Sequence, residues 1–399
     1  MNSFDFEDKL LSLYSNILSN GTVKNDRTNT GTVSLFGNMI DADITGNCLA
    51  LMTTKEMFYE TFIKENCWFL SGSTDVRFLK EHGVSIWDDW VIPSTARFVE
   101  CDNPTGQDML THLRCYFPEQ YVKWKPYKTE RKIGQAKRNE VIAFYEHINQ
   151  PIAKLKLISG SIGDGAYGSA WRNWEDTRVV EQKDVTSFLN RGFTVIGKME
   201  NSDSVVVRRV VDQFAEAIKL LRTSPDSRRI IVSAWNAARI DEAVLPPCHS
   251  FFQFWTREMT LQERFTHAYD HMGLNCLTTE DLEVNNVPRR ALSLLLLARS
   301  QDAPVGSCFN IGQYSFLAHL VAKLVGMTAE RLVWVGGDCH IYADQIELVK
   351  EQLTRTTFEK TAKLIIDDSV TGIDDLRPEQ FKVVGYDNFH PKINYPVAV

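Results

Sequence analysis

The sequence predicts an α+β (α/β) protein, because amphipathic helical segments alternate along the chain with short apolar runs typical of buried strands. A helix is predicted over residues 5–19, where apolar side chains recur every three or four positions before Gly21: Phe6, Leu10, Leu13 and Ile17. Strands are predicted at residues 32–35, 229–235, 250–255, 292–298 and 332–335.

Two further helices are predicted in the second half of the chain. One carries apolar residues at helical spacing, Val211, Phe214, Ile218 and Leu221. It should end at Ser224, because a residue before proline avoids the helical conformation. The apolar run 313–325 should be a core helix, in which His319 is more simply a hydrogen-bonded core histidine than a ligand.

Composition narrows the class of protein. The chain has 399 residues, of which 44% are hydrophobic and 24% charged, and its net charge is -7, which argues against a nucleic-acid-coating surface. An anionic substrate would therefore need a local cluster of arginines. The eight cysteines form no CxxC pair, and we see neither a signal segment nor a membrane-spanning apolar run. We expect a cytoplasmic protein without membrane or nucleic-acid partners.

The most informative motif surrounds Cys248. The rigid pair Pro246-Pro247 precedes this cysteine, and an alternating aromatic strand follows it from His249. A thiol on such a fixed backbone can act as a nucleophile, because a fraction is thiolate near neutral pH and sulfur is intrinsically reactive. The alternative is an ordinary buried cysteine that serves only to fill space.

The motifs along the chain resemble the thymidylate synthase family, in the family's order. They are Asp26-Arg27-Thr28 with Thr30-Gly31-Thr32, Glu65 before Trp68-Phe69-Leu70, Ile86-Trp87-Asp88-Asp89-Trp90, Tyr167-Gly168 with Trp171-Arg172, residues 225–231, Cys248-His249, Arg299-Ser300 with Asp302, Phe309-Asn310-Ile311, residues 336–342 and residues 396–399. The resemblance implies a large mixed sheet flanked by helices, with sheet packing at a homodimer interface. It also implies one domain over residues 1–399, with surface insertions at about 91–164 and 257–290.

The resemblance implies a site for dUMP that two subunits share. Arg27, Arg299 and Ser300 would hold the phosphate from the pocket's own subunit, while Arg228 and Arg229 would reach in from the partner. The alternative for the arginine pair is a surface position with salt bridges. The basic patch at 123–137 could touch nucleic acid, but a solvated charged face explains it better.

Other residues would recognise the base and the sugar. Asn310 suits uracil, because a carboxamide can donate to O4 and accept from N3–H. His340 and Tyr342 would bind the ribose hydroxyl, and His249, Gln301 and Asp302 would complete the dUMP site. A zinc site built from Cys308, Cys339 and His340 is the competing interpretation, but its spacing matches no common zinc motif.

The resemblance also implies the chemistry. The thiolate of Cys248 would add to C6 of the base, so that C5 can attack the one-carbon unit of 5,10-methylenetetrahydrofolate. Glu65 would move protons, and Arg299 would favour the thiolate. Tyr167 and Asp302 complete the catalytic set. The folate would contact four residues, the last of them in a C-terminal lid: Trp87, Asp302, Gly306 and Ala398.

Several positions depart from the thymidylate synthase pattern. Glutamine is expected before the Arg-Ser pair and before the Trp-Arg pair, but the chain has Ala298 and Ala170 there. Phe58 replaces a folate-contacting histidine found in many relatives, and Asp344-Gln345 replaces the usual Asn-His. Loss of two amides near the pocket frees space and hydrogen-bonding capacity that a water molecule could use.

These departures lead us to predict a dUMP hydroxymethylase, in which water captures the methylene group at C5. Phage dCMP hydroxymethylases also lack the first glutamine, and phage dUMP hydroxymethylases are similarly long. Thymidylate synthase is the alternative, supported by His249, Trp87, Trp90 and the terminal Val399. A catalytically inactive nucleotide-binding relative is the third interpretation, which the complete set of Cys248, Glu65 and arginines opposes.

Overall fold

The computed structural model describes residues 6–26, 30–102, 104–124, 135–148, 155–359 and 361–397, without the side chains of residues 123–124 and 135–140. Its helices are α1 (Phe6–Asn20), α2 (Tyr59–Leu70), α3 (Arg77–Glu81), α4 (Gly106–Tyr116), α5 (Pro118–Trp124), α6 (Gln135–His147), α7 (Tyr167–Arg172), α8 (Val185–Leu189), α9 (Gln213–Thr223), α10 (Leu261–Met272), α11 (Thr279–Val284), α12 (Cys308–Val325) and α13 (Ile346–Leu353). Its strands are β1 (Thr22–Lys24), β2 (Thr32–Asp43), β3 (Arg97–Glu100), β4 (Leu155–Ser159), β5 (Trp174–Glu181), β6 (Thr194–Lys198), β7 (Ser204–Val211), β8 (Ile231–Ser233), β9 (His249–Glu258), β10 (Arg290–Asp302), β11 (Thr328–Tyr342), β12 (Lys363–Ile366) and β13 (Phe381–Val384).

A six-stranded sheet with the order β1-β2-β11-β10-β9-β8 forms the centre of the fold. Strands β10 and β11 are parallel, whereas the other neighbouring pairs are antiparallel, so the sheet is mixed. Helix α12 makes the crossover between the two parallel strands, as such a connection requires. The large mixed sheet flanked by helices is therefore confirmed.

One face of this sheet is covered and the other is accessible. Helices α1 and α12 pack on the covered face, whose side chains are almost fully buried: Val232, Phe252, Phe254, Leu294, Leu296 and Trp334. Residues that pair across strands point to the same face. The register therefore assigns a second apolar set to the opposite face, where it is half-buried or exposed: Met39, Ile231, Phe251, Trp255, Leu295, Leu297, Val333 and Val335.

The predicted elements are found, but several have different ends. The first helix and the core helix are confirmed, and His319 in the latter lies 2.9 Å from the carbonyl of Cys48 through Nε2. The second helix begins at Gln213, because Asp212 caps it by accepting from the amide of Ala215, and Val211 ends a strand instead. The strand predicted over 229–235 covers only Ile231–Ser233, while the other four predicted strands extend beyond their apolar runs.

The two predicted insertions carry their own secondary structure. The first contains β3, β4 and helices α4 to α6, with a small apolar cluster of its own around Leu113, Val141 and Tyr145. The second contains α10 and α11, which pack around Ala268 and Leu282. Their assignment to a single domain stays a prediction, and most of the basic patch at 123–137 lies outside the described residues. No helix within the described ranges is long and apolar enough to cross a membrane.

Candidate active site

The predicted site residues converge on one end of the central sheet. The parallel strands β10 and β11 end side by side, so Ser300 pairs with Asp338 and Asp302 pairs with His340. The antiparallel strand β9 begins at the same end, where the amide of Arg299 donates to the carbonyl of Cys248 over 2.9 Å. The sheet thus brings the thiol close to the residues expected to bind the nucleotide.

The backbone around Cys248 is held from two sides. The hydroxyl of Tyr167 accepts from the amides of Cys248 at 2.7 Å and His249 at 3.4 Å. The guanidinium of Arg299 donates to the carbonyls of Pro246 and Pro247 at 2.8 and 2.9 Å. The guanidinium of Arg299 therefore lies against the peptide groups that precede the half-buried Cys248, and a positive charge close to a cysteine favours its thiolate form.

Glu65 is a buried carboxylate at the centre of the site, with only 5% of its surface exposed. Its Oε1 accepts from Trp87 Nε1 at 2.6 Å, and its Oε2 accepts from Gln313 Nε2 at 2.7 Å. Burial raises the pKa of Glu65 to about 7, although both hydrogen bonds act in the opposite direction. A carboxyl group with this pKa can gain and lose a proton near neutral pH, as general acid–base catalysis requires.

A row of buried amides leads away from Glu65. Gln301 Nε2 donates to Asn310 Oδ1 at 2.8 Å, and Asn310 Nδ2 lies 3.5 Å from Gln313 Oε1. His249 forms a further hydrogen bond with Asn310, and burial lowers the pKa of His249 to about 4. The sequence did not single out Gln313, because an unaccompanied glutamine in a core helix gives no signal of a contact with Glu65.

Asp302 is the last residue of β10, and its carboxylate contacts Gln345 rather than the amides around Glu65. Its Oδ2 accepts from Gln345 Nε2 at 3.0 Å, and the same amide also donates to the carbonyl of Pro396. Burial raises the pKa of Asp302 to about 6, and its buried Oδ1 has no hydrogen-bond partner within the described part of the chain. Gln345, noted in the sequence only as a departure, therefore connects Asp302 with the C-terminal segment.

Gly306 leaves room for one of the site amides. It lies in a π-helical turn over Ala303–Ser307, and a Cβ atom at this position would collide with Gln301 Nε2. A side chain at position 306 would therefore displace the amide of Gln301. Trp87 is 7% exposed and packs against Trp68, Phe69, Trp90 and Tyr167, so it supports Glu65 directly.

The structure does not bring every expected residue into this group. Arg27 and Ala398 lie outside the described residues. Arg228 and Arg229 are exposed before the edge strand β8, and within the described ranges neither guanidinium has a hydrogen bond or an ion pair. His340 Nδ1 lies 3.3 Å from Asp338 Oδ1, and its ring packs against Tyr342. The described residues contain no group of three or more His, Cys, Asp or Glu side chains that could hold a metal ion, and Cys308 and Cys339 are buried.

Comparison with known proteins identifies the class. A family model for thymidylate synthase matches residues 8–399. The thymidylate synthase of Listeria monocytogenes serotype 4b (strain CLIP80459) is 32% identical over 390 residues, which cover 98% of this chain and 99% of the relative. That of Listeria innocua serovar 6a is 31% identical over 395 residues, with the same coverage of 98% and 99%.

A likeness of this length defines a folate-dependent transferase that acts on a pyrimidine nucleotide. The chain belongs to the thymidylate synthase family. It therefore uses 5,10-methylenetetrahydrofolate and transfers a one-carbon unit to C5 of dUMP. The family and the cosubstrate predicted from the sequence are confirmed.

Proposed function

We propose that this enzyme is a dUMP hydroxymethylase, in which water captures the methylene group at C5 to give 5-hydroxymethyl-dUMP. The observation that carries the proposal is the replacement of two amide side chains by Ala170 and Ala298. Ala298 is fully buried and pairs with His249, the residue after the proposed nucleophile. Ala170 is buried on α7, beside Trp171.

Each alanine is connected, along the chain or across the sheet, with a tryptophan whose buried N–H has no partner among the described residues. Trp171 follows Ala170, and its Nε1 has no hydrogen-bond partner among the described residues. Ala298 pairs with Gly336, against whose Cα the ring of Trp334 packs, and Trp334 Nε1 also has no partner in the described ranges. A buried N–H without a partner costs about 1–3 kcal/mol, so an ordered water would be favoured there. These donors support the proposal of water as the acceptor.

The roles of the site residues follow from the family chemistry. Cys248 is the nucleophile that attacks C6, and Glu65 moves protons at O4 and C5. Tyr167 holds the backbone at Cys248, and His249 holds the side-chain amide of Asn310, which recognises the base. Arg299, Ser300 and Arg27 bind the phosphate, and His340 and Tyr342 bind the ribose. The folate would supply the one-carbon unit, held by Asp302, Trp87, Gly306 and Ala398; the unpartnered Asp302 Oδ1 suits the N–H groups of a pterin.

The product distinguishes the two possible fates of the methylene group. With dUMP and methylenetetrahydrofolate, we expect 5-hydroxymethyl-dUMP without the absorbance rise of dihydrofolate, and solvent oxygen-18 should enter the hydroxymethyl group. Ala298→Gln should reduce hydroxymethyl formation, because the amide would occupy the space and the hydrogen bonds of the water. Mass analysis of the nucleotide provides the measurement. Stoichiometric dTMP and dihydrofolate from the unmutated enzyme would contradict the proposal.

Thymidylate synthesis is the second candidate, and specific observations favour it. The curated relatives named above are thymidylate synthases, and their similarity extends over 98% of the chain. His249, Trp87 and Trp90 are present and packed as a group with Tyr167 and Tyr314. The same product assay decides between the candidates.

We also propose that two chains form a dimer through the accessible face of the central sheet. This face is apolar from β2 across to β8, and Trp255 and Met39 are 56% and 66% exposed on it. A contiguous apolar face of a sheet is unfavourable in water, whereas a self-complementary contact between two copies would bury it. Gln253 on this face donates to the carbonyl of Arg228 at 3.4 Å, so the arginine pair lies at the border of the proposed interface.

Base recognition provides a separate test of the site. Asn310→Asp should reduce preference for dUMP and favour dCMP, because a carboxyl group complements N3 and the 4-amino group of cytosine. A mismatch in a buried site leaves polar groups unpaired, at about 1–3 kcal/mol each. Competition between the two nucleotides in turnover assays provides the measurement. An unchanged preference would mean that Asn310 does not contact the base.

A further inference from the structure

Four buried side chains form a continuous hydrogen-bonded row from Gln301 through Asn310 and Gln313 to Glu65. Gln301, Asn310 and Gln313 are 4%, 5% and 0% exposed, so water does not readily replace their contacts. An amide has one donor end and one acceptor end, and each contact therefore constrains the next amide. The orientation of all three amides is therefore fixed if one end of the row meets a group that can only donate or only accept a hydrogen bond.

Glu65 supplies that fixed end. An ionised carboxylate can only accept, so the group of Gln313 that faces Glu65 Oε2 at 2.7 Å must be Nε2. Gln313 Oε1 then faces Asn310 and accepts a hydrogen bond from Asn310 Nδ2. In this orientation Asn310 Oδ1 points to Gln301 and accepts from its Nε2 at 2.8 Å. The ionised carboxylate thus selects one of the two orientations of the Asn310 amide.

The orientation of Asn310 matters because the uracil and cytosine edges are inverse patterns. Uracil offers an acceptor at O4 and a donor at N3, whereas cytosine offers a donor at the 4-amino group and an acceptor at N3. Rotation of an asparagine amide by half a turn exchanges its donor and acceptor. An asparagine that is free to rotate would therefore match either base, and the row of amides prevents this rotation.

We propose that Gln301 and Gln313 are positioning residues that fix the direction of the Asn310 amide and thereby set the preference of the site for uracil over cytosine. This inference rests on the proposed contact of Asn310 with the base. It assigns to the two glutamines a role in specificity, exerted through Asn310 and Glu65 rather than by direct chemistry.

One proton would allow the row to reverse. If Glu65 carries a proton on Oε2, it donates to Gln313 Oε1, Gln313 Nε2 donates to Asn310 Oδ1, and Asn310 Nδ2 donates to Gln301 Oε1. That last oxygen is buried and has no partner in the described part of the chain, so the reversed row leaves it satisfied. Neutral His249 matches either direction through its two tautomers. The reversed row would recognise cytosine, and it becomes accessible as pH falls through the pKa of Glu65, about 7.

The other titratable groups around Glu65 constrain the pH range of the test. Tyr167 on α7 and Tyr314 on α12 have pKa values raised well above 10 by burial, and His249 on β9 has a pKa lowered to about 4. Burial also raises the pKa of Asp88, next to Trp87, to about 7 and that of Asp302 to about 6. A Glu65→Gln variant therefore serves to separate the titration of Glu65 from that of the two aspartates.

Calorimetric binding of dUMP and of dCMP, without folate, tests the proposal. Gln301→Met removes the donor that holds Asn310 Oδ1, and the ratio of the two affinities should fall about tenfold, or about 1.4 kcal/mol. Gln301→Glu has nearly the same shape but presents acceptors to Asn310, so at pH 8 it should favour dCMP further. In the unmutated protein the ratio should fall below pH 7, and this pH dependence should be lost in Gln313→Met and Glu65→Gln.

The matched control is Gln352→Met, which removes an equally buried amide that contacts Thr54 and Tyr395 instead. It should leave the affinity ratio unchanged, and thermal unfolding of all variants shows whether each is folded. A wild-type ratio in folded Gln301→Met or Gln301→Glu would overturn the proposal. If Asn310→Asp also left the preference unchanged, the proposed contact of Asn310 with the base would be wrong, and the result would not bear on the two glutamines.

Discussion

Cys248→Ala is expected to abolish turnover, with a fall in kcat of at least about 10⁴-fold, while dUMP binding is mostly retained. Covalent attack on C6 requires a thiolate, and an alanine side chain has no nucleophilic atom. The elements that position the thiol do not depend on sulfur: the Tyr167 hydroxyl and the Arg299 guanidinium both contact backbone atoms of residues 246–249. The empty space left by the missing sulfur is small, and the phosphate and base contacts remain.

A mechanism-based adduct locates the nucleophile directly. Incubation with 5-fluoro-dUMP and methylenetetrahydrofolate should trap a covalent complex, and peptide mass mapping should find it on Cys248. Cys308 and Cys339 are suitable controls, because both are buried and burial raises the pKa of Cys339 to about 12. Cys339→Ala should still form the adduct. An adduct on Cys308 or Cys339, or none at all, would eliminate covalent catalysis by Cys248.

The sequence predicts those parts of the fold that depend on local apolar periodicity. The spacing of Phe6, Leu10, Leu13 and Ile17 predicted α1 within one residue at either end. Strand ends were predicted less well, because a ladder of backbone hydrogen bonds continues past the apolar run: β10 begins at Arg290 and ends at Asp302. The helix start at Val211 was wrong, since capping by Asp212 rather than apolarity determines where α9 begins.

The site was predicted by a different kind of signal. Family motifs identified Cys248, Glu65 and Asn310, but they do not reveal how these side chains are held. Gln313 lies 248 positions from Glu65, and Gln345 lies 43 positions from Asp302, so only the fold brings each pair together. Both glutamines occupy positions at which local pattern carries no information. Contacts of this kind require the tertiary structure.

Mixing two inactive variants is expected to restore activity. In the proposed dimer, Arg228 serves the partner's pocket and Cys248 its own. A heterodimer of an Arg228→Ala chain and a Cys248→Ala chain then contains one pocket in which both residues are intact. Random exchange of equal amounts makes half of the dimers mixed, with one active pocket of two. The mixture should therefore approach about a quarter of the unmutated activity, starting from nearly none.

The control uses an arginine from the other part of the site. Arg299 contacts the peptide groups next to Cys248 of its own chain, so an Arg299→Ala chain mixed with Cys248→Ala has no pocket with both residues intact and should stay inactive. Exchange must be demonstrated separately, with two affinity tags copurifying. Exchange without recovered activity in the Arg228 mixture would place these arginines in their own pocket or outside the site. Activity recovered in the Arg228 mixture but not in the Arg299 mixture would mean that Arg228 crosses the interface. Its exposed guanidinium would then complete the phosphate site in the partner's pocket.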